Sequence, residues 1–246
     1  ACVDACPTGA ITDRDRADPA PPASSTISTC GYCGVGCRVE VSVSDGRIAR
    51  VDGVADARVN RGHLCIKGRY AHAWQASPDR LTEPLLRDGA GDLRPVSWDT
   101  AIGWLAERLT SLRAEHGPDA FGGLASARTT NEGSYLLQKL ARSVIGTNNV
   151  DCCARVCHSS TAVALKAATG TGAASACFDD IELARAIVVA GSNATEAHPV
   201  IGARILQATL AGTPLVVIDP RRTELARVAR VHLPVDENLA RNIDYQ

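Results

Sequence analysis

Cys30-Gly-Tyr-Cys33-Gly-Val-Gly-Cys37 begins a four-cysteine motif that Cys65 completes after 27 intervening residues, with the spacing C-x2-C-x3-C-x27-C. The interspersed glycines allow the backbone to fold tightly around a bulky inorganic core, and backbone amides there can donate hydrogen bonds to sulfide. Zinc sites more commonly pair two matched C-x2-C units. The spacing therefore favours a [4Fe-4S] cluster held by the four thiolates, with a structural zinc ion and unliganded thiols as the alternatives.

The residues between the third and fourth cysteines carry the pattern of a β-hairpin. Valines at every second position from Val39 to Val43 alternate with polar residues, and apolar residues return at Ile48 and Val51. Between these two runs stands the pair Asp45-Gly46, a typical two-residue hairpin turn. The hairpin is predicted to bring Cys65 back to the other three cysteines.

A second cysteine pair stands at the start of the chain, in Ala1-Cys2-Val-Asp-Ala-Cys6-Pro7. Its spacing matches the last part of the bacterial ferredoxin motif C-x2-C-x2-C-x3-C-P, in which the final cysteine ligates the other of two clusters. Cys2 and Cys6 are therefore predicted to bind two different clusters; the alternative is two unrelated cysteines beside a proline turn. The Pro-, Ala- and Ser-rich stretch from Asp18 to Ser25 indicates an inter-domain linker.

A third cysteine group, Asp151-Cys-Cys-Ala-Arg-Val-Cys157-His158, lies between two predicted helices, one from about Glu132 to Ile145 and one from Ser159 to Gly170. Cys157 is expected at the N-terminus of the second helix, where the helix dipole favours a thiolate. His158 beside it can relay a proton. The remaining cysteines are interpreted as packing residues: Cys152, Cys153 and Cys177.

The last part of the chain alternates strand, helix and strand, at Ala186–Ala190, Pro199–Gly212 and Pro214–Asp219. Such a unit predicts parallel strands, whose carboxyl ends are the usual ligand-binding edge of an α/β sheet. The loop Gly191-Ser-Asn193-Ala-Thr-Glu196 follows the first strand, and Asp219-Pro-Arg221 follows the second. Small polar residues, a carboxylate and an arginine suit a nucleotide, although any such unit has polar loops at this place.

An earlier segment has the same alternation. Ser97 is predicted to cap a helix, and a strand at Phe121–Ala125 leads into the loop Ser126-Ala-Arg128-Thr-Thr-Asn-Glu132. The fold class predicted for the larger part of the chain is therefore α/β, with a doubly wound or related parallel sheet.

Composition limits the classes of function. The 246 residues are 45% hydrophobic and 22% charged, which is typical of a folded water-soluble protein of one or two domains. Lys plus Arg number 26 against 27 Asp plus Glu, so the net charge of −1 argues against a nucleic-acid binder. No apolar run approaches the ~18 residues of a membrane span. Reduced thiols predict a cytoplasmic location, although the chain opens inside a cysteine motif and a leader cannot be assessed.

Taken together, these motifs resemble the front part of the catalytic alpha subunit of molybdenum- or tungsten-dependent formate dehydrogenases, in the molybdopterin oxidoreductase family. The resemblance runs from Ala1 to about Pro234, and residues 235–246 do not match. It implies the tail of a ferredoxin-type domain and linker at 1–26, a small [4Fe-4S] domain with a β-hairpin at 27–85, and the start of the α/β molybdopterin domain at 86–246. One departure is Asn193-Ala194, where relatives often have Asn-Pro.

The resemblance also implies the chemistry: formate is oxidised to CO2, two electrons and a proton at a bis-molybdopterin guanine dinucleotide carrying Mo or W. Cys157 would ligate the metal, His158 would lie beside the substrate, and Lys67 would lie between cluster and pterin. The arginine that binds the formate carboxylate is expected outside this chain, which alone is expected to be inactive. Contacts with the cofactor are expected from Lys67, Arg128, Gly191, Asn193, Glu196, Asp219 and Arg221.

The resemblance also implies a partner for the electrons: a redox subunit or carrier, for example a flavin subunit that reduces NAD. Three other functions are considered. An electron-transfer subunit of the NADH dehydrogenase large-subunit type leaves Cys157 and His158 without a role. A sister enzyme such as nitrate reductase also uses a cysteine ligand, and a zinc-stabilised binding module would contain no iron.

Overall fold

The computed structural model describes residues 6–8, 10–11 and 22–235. Cys2 and most of the ferredoxin-type segment lie outside these residues, so the prediction made for Cys2 stays a prediction. Within the described ranges, no helix is both long enough and apolar enough to cross a membrane.

The elements alternate between short strands and helices along most of the chain. In chain order they begin with β1 (Ser24–Thr29), β2 (Arg38–Ser44), β3 (Arg47–Gly53), α1 (Ile66–Tyr70), a 3-10 turn (Ala71–Ala76), β4 (Leu85–Arg87), β5 (Leu93–Pro95), α2 (Trp98–His116), a 3-10 turn (Pro118–Ala120) and β6 (Gly123–Ala125). They continue with α3 (Asn131–Lys139), a π-helix (Leu140–Ile145), β7 (Val150–Cys152), α4 (Ala154–Cys157), α5 (Ser159–Thr169), α6 (Asp180–Leu183), β8 (Ile187–Ala190), α7 (Ala194–Ala197), α8 (Pro199–Leu210), β9 (Leu215–Ile218), α9 (Glu224–Val228) and β10 (Val231–Leu233).

The chain divides into two compact units. The first unit combines Ala1–Ala76 with Ser160–Gln246, and the second unit is the intervening Ser77–Ser159. The first unit is therefore discontinuous in sequence, and its two segments form one structure.

The predicted hairpin is confirmed in the first unit. Strands β1, β2 and β3 form an antiparallel sheet in that order. Asp45 and Gly46 join β2 to β3 with φ angles of 50° and 70°. Both central residues of a type I′ turn need positive φ, and Asp-Gly tolerates this conformation, so the turn chemistry fixes the register of the two strands.

The predicted strand–helix–strand unit is also confirmed there. β8 pairs with β9 and β9 with β10, all parallel, in the order β10-β9-β8, and α8 connects β8 to β9 after the short helix α7. Leu215 and Val217 on β9 are completely buried, as a central strand requires. Leu225 from α9, 1% exposed, joins the same core.

In the second unit, Ser97 caps α2 as predicted, its side chain accepting a hydrogen bond from the Thr100 amide. β6 and β7 are parallel. The helix predicted to reach Ile145 is α-helical only to Lys139 and then becomes a π-helix. The Ala141 carbonyl accepts bonds from the amides of Gly146, at 2.8 Å, and Thr147, at 3.0 Å, which widens the final turn.

Gly202 provides a test of how closely α8 packs on α7. A Cβ at Gly202 would lie 2.6 Å from Thr195 Cα and 2.8 Å from the Ala194 carbonyl carbon, which are backbone atoms that cannot move aside. We expect Gly202→Ala to lower the free energy of unfolding by about 1–3 kcal/mol. Gly103→Ala is the matched control: this exposed position within α2 has open space, so the change should stabilise by about 0.5–1 kcal/mol.

Urea unfolding midpoints of the two variants and the wild type measure both effects. Equal shifts for the two substitutions would contradict the close approach of α8 to α7.

Candidate functional site

The first three cysteines of the motif lie in the loop between β1 and β2. The Cys30 amide donates to the Cys37 carbonyl oxygen at 2.8 Å, which closes the loop at its base. Gly36, with φ of 72°, makes the reversal just before Cys37. Cys65 is the N-cap residue of α1, in extended conformation.

The four thiols share one region of the first unit. Burial, and after it the nearby thiols of Cys30, Cys33 and Cys65, raise the pKa of the Cys37 thiol to about 11. In the described part of the chain, no three His, Cys, Asp or Glu side chains lie close enough to hold one metal ion.

An apolar shell includes Cys37 and packs against Cys30 and Cys33. Residues from the cysteine loop, the hairpin, the approach to α1 and α8 pack together: Val35, Val39, Val51, Leu64, Val200 and Ile201. Low polarity and limited solvent access are among the factors that set the potential of an iron–sulfur cluster. The donor set and its surroundings therefore fit a [4Fe-4S] cluster.

Asn60 holds the returning chain at the start of β2. Its side-chain oxygen accepts from the Arg38 amide at 2.8 Å, and its side-chain nitrogen donates to the carbonyls of Arg38, at 3.1 Å, and His63, at 3.0 Å. The residue is 2% exposed. Because Arg38 follows Cys37 and His63 lies two positions before Cys65, these bonds bring the third and fourth cysteines together.

Two glycines make the same return possible. A Cβ at Gly53 would lie 2.2 Å from the Gly62 carbonyl oxygen. Only glycine allows β3 to end so close to the segment that leads to Cys65.

A charged network attaches this segment to α6 and α8. Arg204 of α8, 6% exposed, donates to Asp179 Oδ1 at 2.8 Å and to Glu182 Oε1 at 3.0 Å. Arg58 binds the second Asp179 oxygen at 2.6 Å, and Arg61 binds Glu182 at 2.9 Å. Hydrogen bonds from Arg204 and then Arg58 lower the pKa of Asp179 to about 2.

Lys67 connects the cysteine motif to the first polar loop of the predicted crevice. Its Nζ donates to the Glu196 carbonyl oxygen at 3.4 Å. Gly191, with φ of 59°, turns the chain at the end of β8, and its amide donates to the Ile218 carbonyl at 2.8 Å. Asn193 then starts α7. The structure therefore brings Lys67 and the Gly191–Glu196 loop together.

Asp219 and Arg221 lie at the carboxyl end of β9, beside the end of β8. Asp219 is 4% exposed, and its Oδ1 accepts from the Arg221 amide at 2.8 Å. The ring of His232 lies 2.9 Å from the Asp219 carbonyl oxygen, and the Arg221 side chain is exposed. The loop is fixed by its own backbone and by β10, which leaves the arginine accessible to a ligand.

The segment with Cys157 and His158 belongs to the second unit, where both residues are exposed. Cys157 is the last residue of α4, and its thiol donates to the Cys153 carbonyl oxygen at 3.5 Å. Cys157 was expected at the N-terminus of the second helix, and this expectation is wrong. Residues Ala154–Cys157 form a separate helical turn, α4, which ends before α5 begins. Cys152, Cys153 and Cys177 are exposed in this structure, contrary to the packing interpretation.

Arg128 lies in the loop after β6, next to the Cys157 segment within the second unit. The Ala127 amide donates to Cys153 Sγ at 3.3 Å, and the Cys153 amide donates to the Ala125 carbonyl at 3.3 Å. A cavity of about 360 Å³ opens at the carboxyl ends of β6 and β7, lined by polar residues that include Ser126, Ser134, Gln138, Arg142 and Asp151.

Cys6 is the one ferredoxin-type cysteine within the described residues. Its thiol lies 3.5 Å from the Thr8 hydroxyl. Hydrogen bonds from the Thr8 side chain and then from the Ile11 backbone lower the pKa of Cys6 to about 7. A thiol that ionises near neutrality suits a metal ligand.

Several residues that shape the site were not singled out in the sequence. Asn60, Gly53 and Arg204 position Cys65 without belonging to any motif. Asn and Gly in a short loop are ordinary turn residues, and a buried arginine is visible only once its carboxylate partners are known.

Comparison with known proteins identifies the class. The family model of the molybdopterin oxidoreductase Fe4S4 domain matches residues 23–76, and that of molybdopterin oxidoreductase matches residues 80–243. Formate dehydrogenase H of Escherichia coli strain K12 is 39% identical over 84% of this chain. F420-dependent formate dehydrogenase 1 subunit alpha of Methanococcus maripaludis is 44% identical over 83% of it. This chain covers 30% of either relative.

A solved structure shows the same fold. Acetylene hydratase from Pelobacter acetylenicus aligns with a TM-score of 0.70 at 24% identity, over 85% of this chain and 29% of that one. This fold agrees with the class that the two family models define.

The chain belongs to the molybdopterin oxidoreductase family, and its relatives there include formate dehydrogenases. The predicted α/β fold, the [4Fe-4S] cluster and the molybdopterin cofactor are confirmed by these matches. The expected end of the resemblance near Pro234 is wrong, since the match extends to residue 243.

Asn60→Ala tests the bonds that bring Cys37 and Cys65 together. Loss of three hydrogen bonds from a buried side chain should lower the free energy of unfolding by about 2–3 kcal/mol and reduce bound iron. Asn60→Asp can accept from the Arg38 amide but cannot donate to the two carbonyls, so it should also lose iron. The iron content per chain is measured by colorimetric assay. A wild-type iron content in both variants would contradict this role of Asn60.

The depressed pKa of Asp179 predicts a pH dependence. Because the pKa falls from 3.8 to about 2 on folding, the ionised carboxylate stabilises the fold above about pH 4, and this contribution is lost as pH falls towards 2. Urea midpoints of the cluster-free chain should therefore differ between wild type and Asp179→Asn at pH 5 and converge at pH 2. A difference that is the same at both pH values would exclude the ion pairs as its cause.

Proposed function

We propose that this chain is part of the catalytic alpha subunit of a formate dehydrogenase, which interconverts formate and CO2 at a Mo or W centre of a bis-molybdopterin guanine dinucleotide. One observation carries the proposal. The segment Asp151–His158 stands at the end of a parallel strand with an exposed thiol, in a chain 39–44% identical to proteins named formate dehydrogenase.

Cys157 is proposed as the protein ligand to the metal. A thiolate is a soft donor and suits a sulfur-rich Mo or W centre, which would supply the acceptor for the two electrons of formate. The bond from Cys157 to the Cys153 carbonyl oxygen orients the thiol. His158 is proposed to hold the proton released from formate, because an imidazole nitrogen can accept and release a proton.

Lys67 is proposed to stand between cluster and pterin. Its ammonium group reaches the Gly191–Glu196 loop from α1, the helix that follows Cys65. The same side chain therefore adjoins both proposed cofactor sites. A cation there would stabilise negative charge on a bound pterin and would favour passage of electrons to the cluster. Cys30, Cys33, Cys37 and Cys65 are proposed to hold that cluster.

The two polar loops of the parallel sheet are proposed to bind the nucleotide part of the cofactor. The Asp219 carboxylate is buried and holds the loop through the Arg221 amide, and the exposed Arg221 side chain can bind a phosphate. The Gly191 turn allows a close approach of backbone to ligand. The proposed contacts are Arg128, Gly191, Asn193, Glu196, Asp219 and Arg221.

Electrons are proposed to leave through the clusters of a ferredoxin-type domain, with Cys2 and Cys6 as ligands, to a redox subunit or carrier, for example a flavin subunit that reduces NAD. A cytoplasmic location suits the many reduced thiols. The proposed domain boundaries are 1–26, 27–85 and 86–246.

Formate-dependent dye reduction by the complete protein that contains this chain, purified without oxygen, tests the proposal. Replacing a residue that only supports a metal ligand lowers activity by about 10–100-fold, so replacing the ligand itself in Cys157→Ser should lower turnover more than about 100-fold while cluster iron stays. Cys177→Ser, which changes another exposed thiol, should keep wild-type turnover.

Metal analysis accompanies the assay. Iron without Mo or W, together with no formate turnover in the wild type, would replace the proposal with an electron-transfer subunit. Nitrate turnover without formate turnover would indicate a sister enzyme.

A further inference from the structure

We propose that Trp74 is a positioning residue for the iron–sulfur cluster. Its hydrogen bond to Tyr32 closes the loop between Cys30 and Cys33 against the helix of Cys65, and this closure limits the access of water to the cluster. The inference rests on the proposed binding of the cluster by the four cysteines, and it does not depend on the substrate.

The bond joins the two ends of the cysteine motif. Trp74 Nε1 donates to the Tyr32 hydroxyl at 2.7 Å, and the indole is 55% exposed, so the bond lies on the solvent side of the loop. Tyr32 stands between the first two cysteines, whereas Trp74 lies in the 3-10 turn that directly follows α1. Since α1 begins directly after Cys65, the Trp74 side chain returns from the fourth cysteine to the loop of the first two.

Two further observations place α1 against the cysteine loop and the hairpin. A Cβ built at Gly68 would lie 3.5 Å from Cys30 Sγ, so the face of α1 that carries this glycine lies directly over the Cys30 thiol. Arg69, 7% exposed, binds Asp52 of β3 at 2.9 Å. With α1 anchored to the hairpin, the Trp74 bond fixes the outer side of the loop.

Closure of this loop has a physical consequence for the cluster. The reduction potential of a [4Fe-4S] cluster depends on its net charge, on hydrogen bonds to its sulfurs and on solvent exposure. Additional water near the cluster would stabilise the added negative charge of the reduced state, so a loosened loop should make the potential less negative. It should also let a chelator reach iron faster.

The test uses Trp74→Phe, which keeps an aromatic ring but removes the donor, and Tyr32→Phe, which removes the acceptor. Both are made singly and together in the complete protein, with Trp98→Phe as control, because Trp98 is a 65% exposed tryptophan in the second unit. The rate of iron release to a chelator and the midpoint potential, followed by electron paramagnetic resonance, are measured.

We expect both single variants and the double variant to release iron about fivefold faster, the effect of one net hydrogen bond. The midpoint potentials of all three variants should be less negative than that of the wild type by one common amount, because each variant removes the same hydrogen bond. Trp98→Phe should match the wild type in both measurements.

Two results would overturn the proposal. Wild-type iron release and potential in the variants would show that the bond has no effect on the cluster. Additive effects in the double variant would show that the two side chains act separately. If Trp74→Phe fails to retain iron on purification, the iron-release rate and midpoint potential of Tyr32→Phe test the proposal, since this variant leaves the indole in place. Formate turnover enters neither measurement, so a failed formate assay leaves this result intact.

Discussion

Cys65 has to return to the loop that carries Cys30, Cys33 and Cys37, and this return shapes the whole first unit. The type I′ turn at Asp45-Gly46 reverses the chain, and the contact of Gly53 with Gly62 closes the path. Asn60 then satisfies backbone groups on both sides of the closure. Each of these features is local, and together they create a site that no single segment could form.

The rest of the fold uses the carboxyl ends of parallel strands. β8 and β9 in the first unit, and β6 and β7 in the second unit, each end in a polar loop. Parallel pairing aligns these ends, so side chains far apart in sequence are presented at the same edge. The contact of Lys67 with the Glu196 carbonyl then connects the cysteine motif to one of these edges.

Regular spacing made much of the fold predictable. The cysteine motif, the alternating valines of β2 and the strand–helix–strand unit from β8 to β9 are patterns with a known period, and all three appear in the structure. The placement of Cys157 was not predictable, because four residues are too few to show a helical period and α4 was hidden between two longer helices. Arg204 and Trp74 were also beyond prediction, since their partners are distant in sequence and only tertiary structure brings them together. Which residues touch the cofactor stays a prediction drawn from the resemblance.

The discontinuity of the first unit has a consequence for how the protein is made. Val200 and Ile201 of α8 complete the apolar shell around the cysteines, yet they follow the entire second unit in the chain. During synthesis, the cysteine loop therefore leaves the ribosome before α8 and lacks the α8 part of its apolar shell until α8 has emerged. Contacts of such high sequence separation form late and slowly during folding. Cluster insertion during synthesis would meet an open, hydrated loop, whereas insertion after release would meet the finished shell.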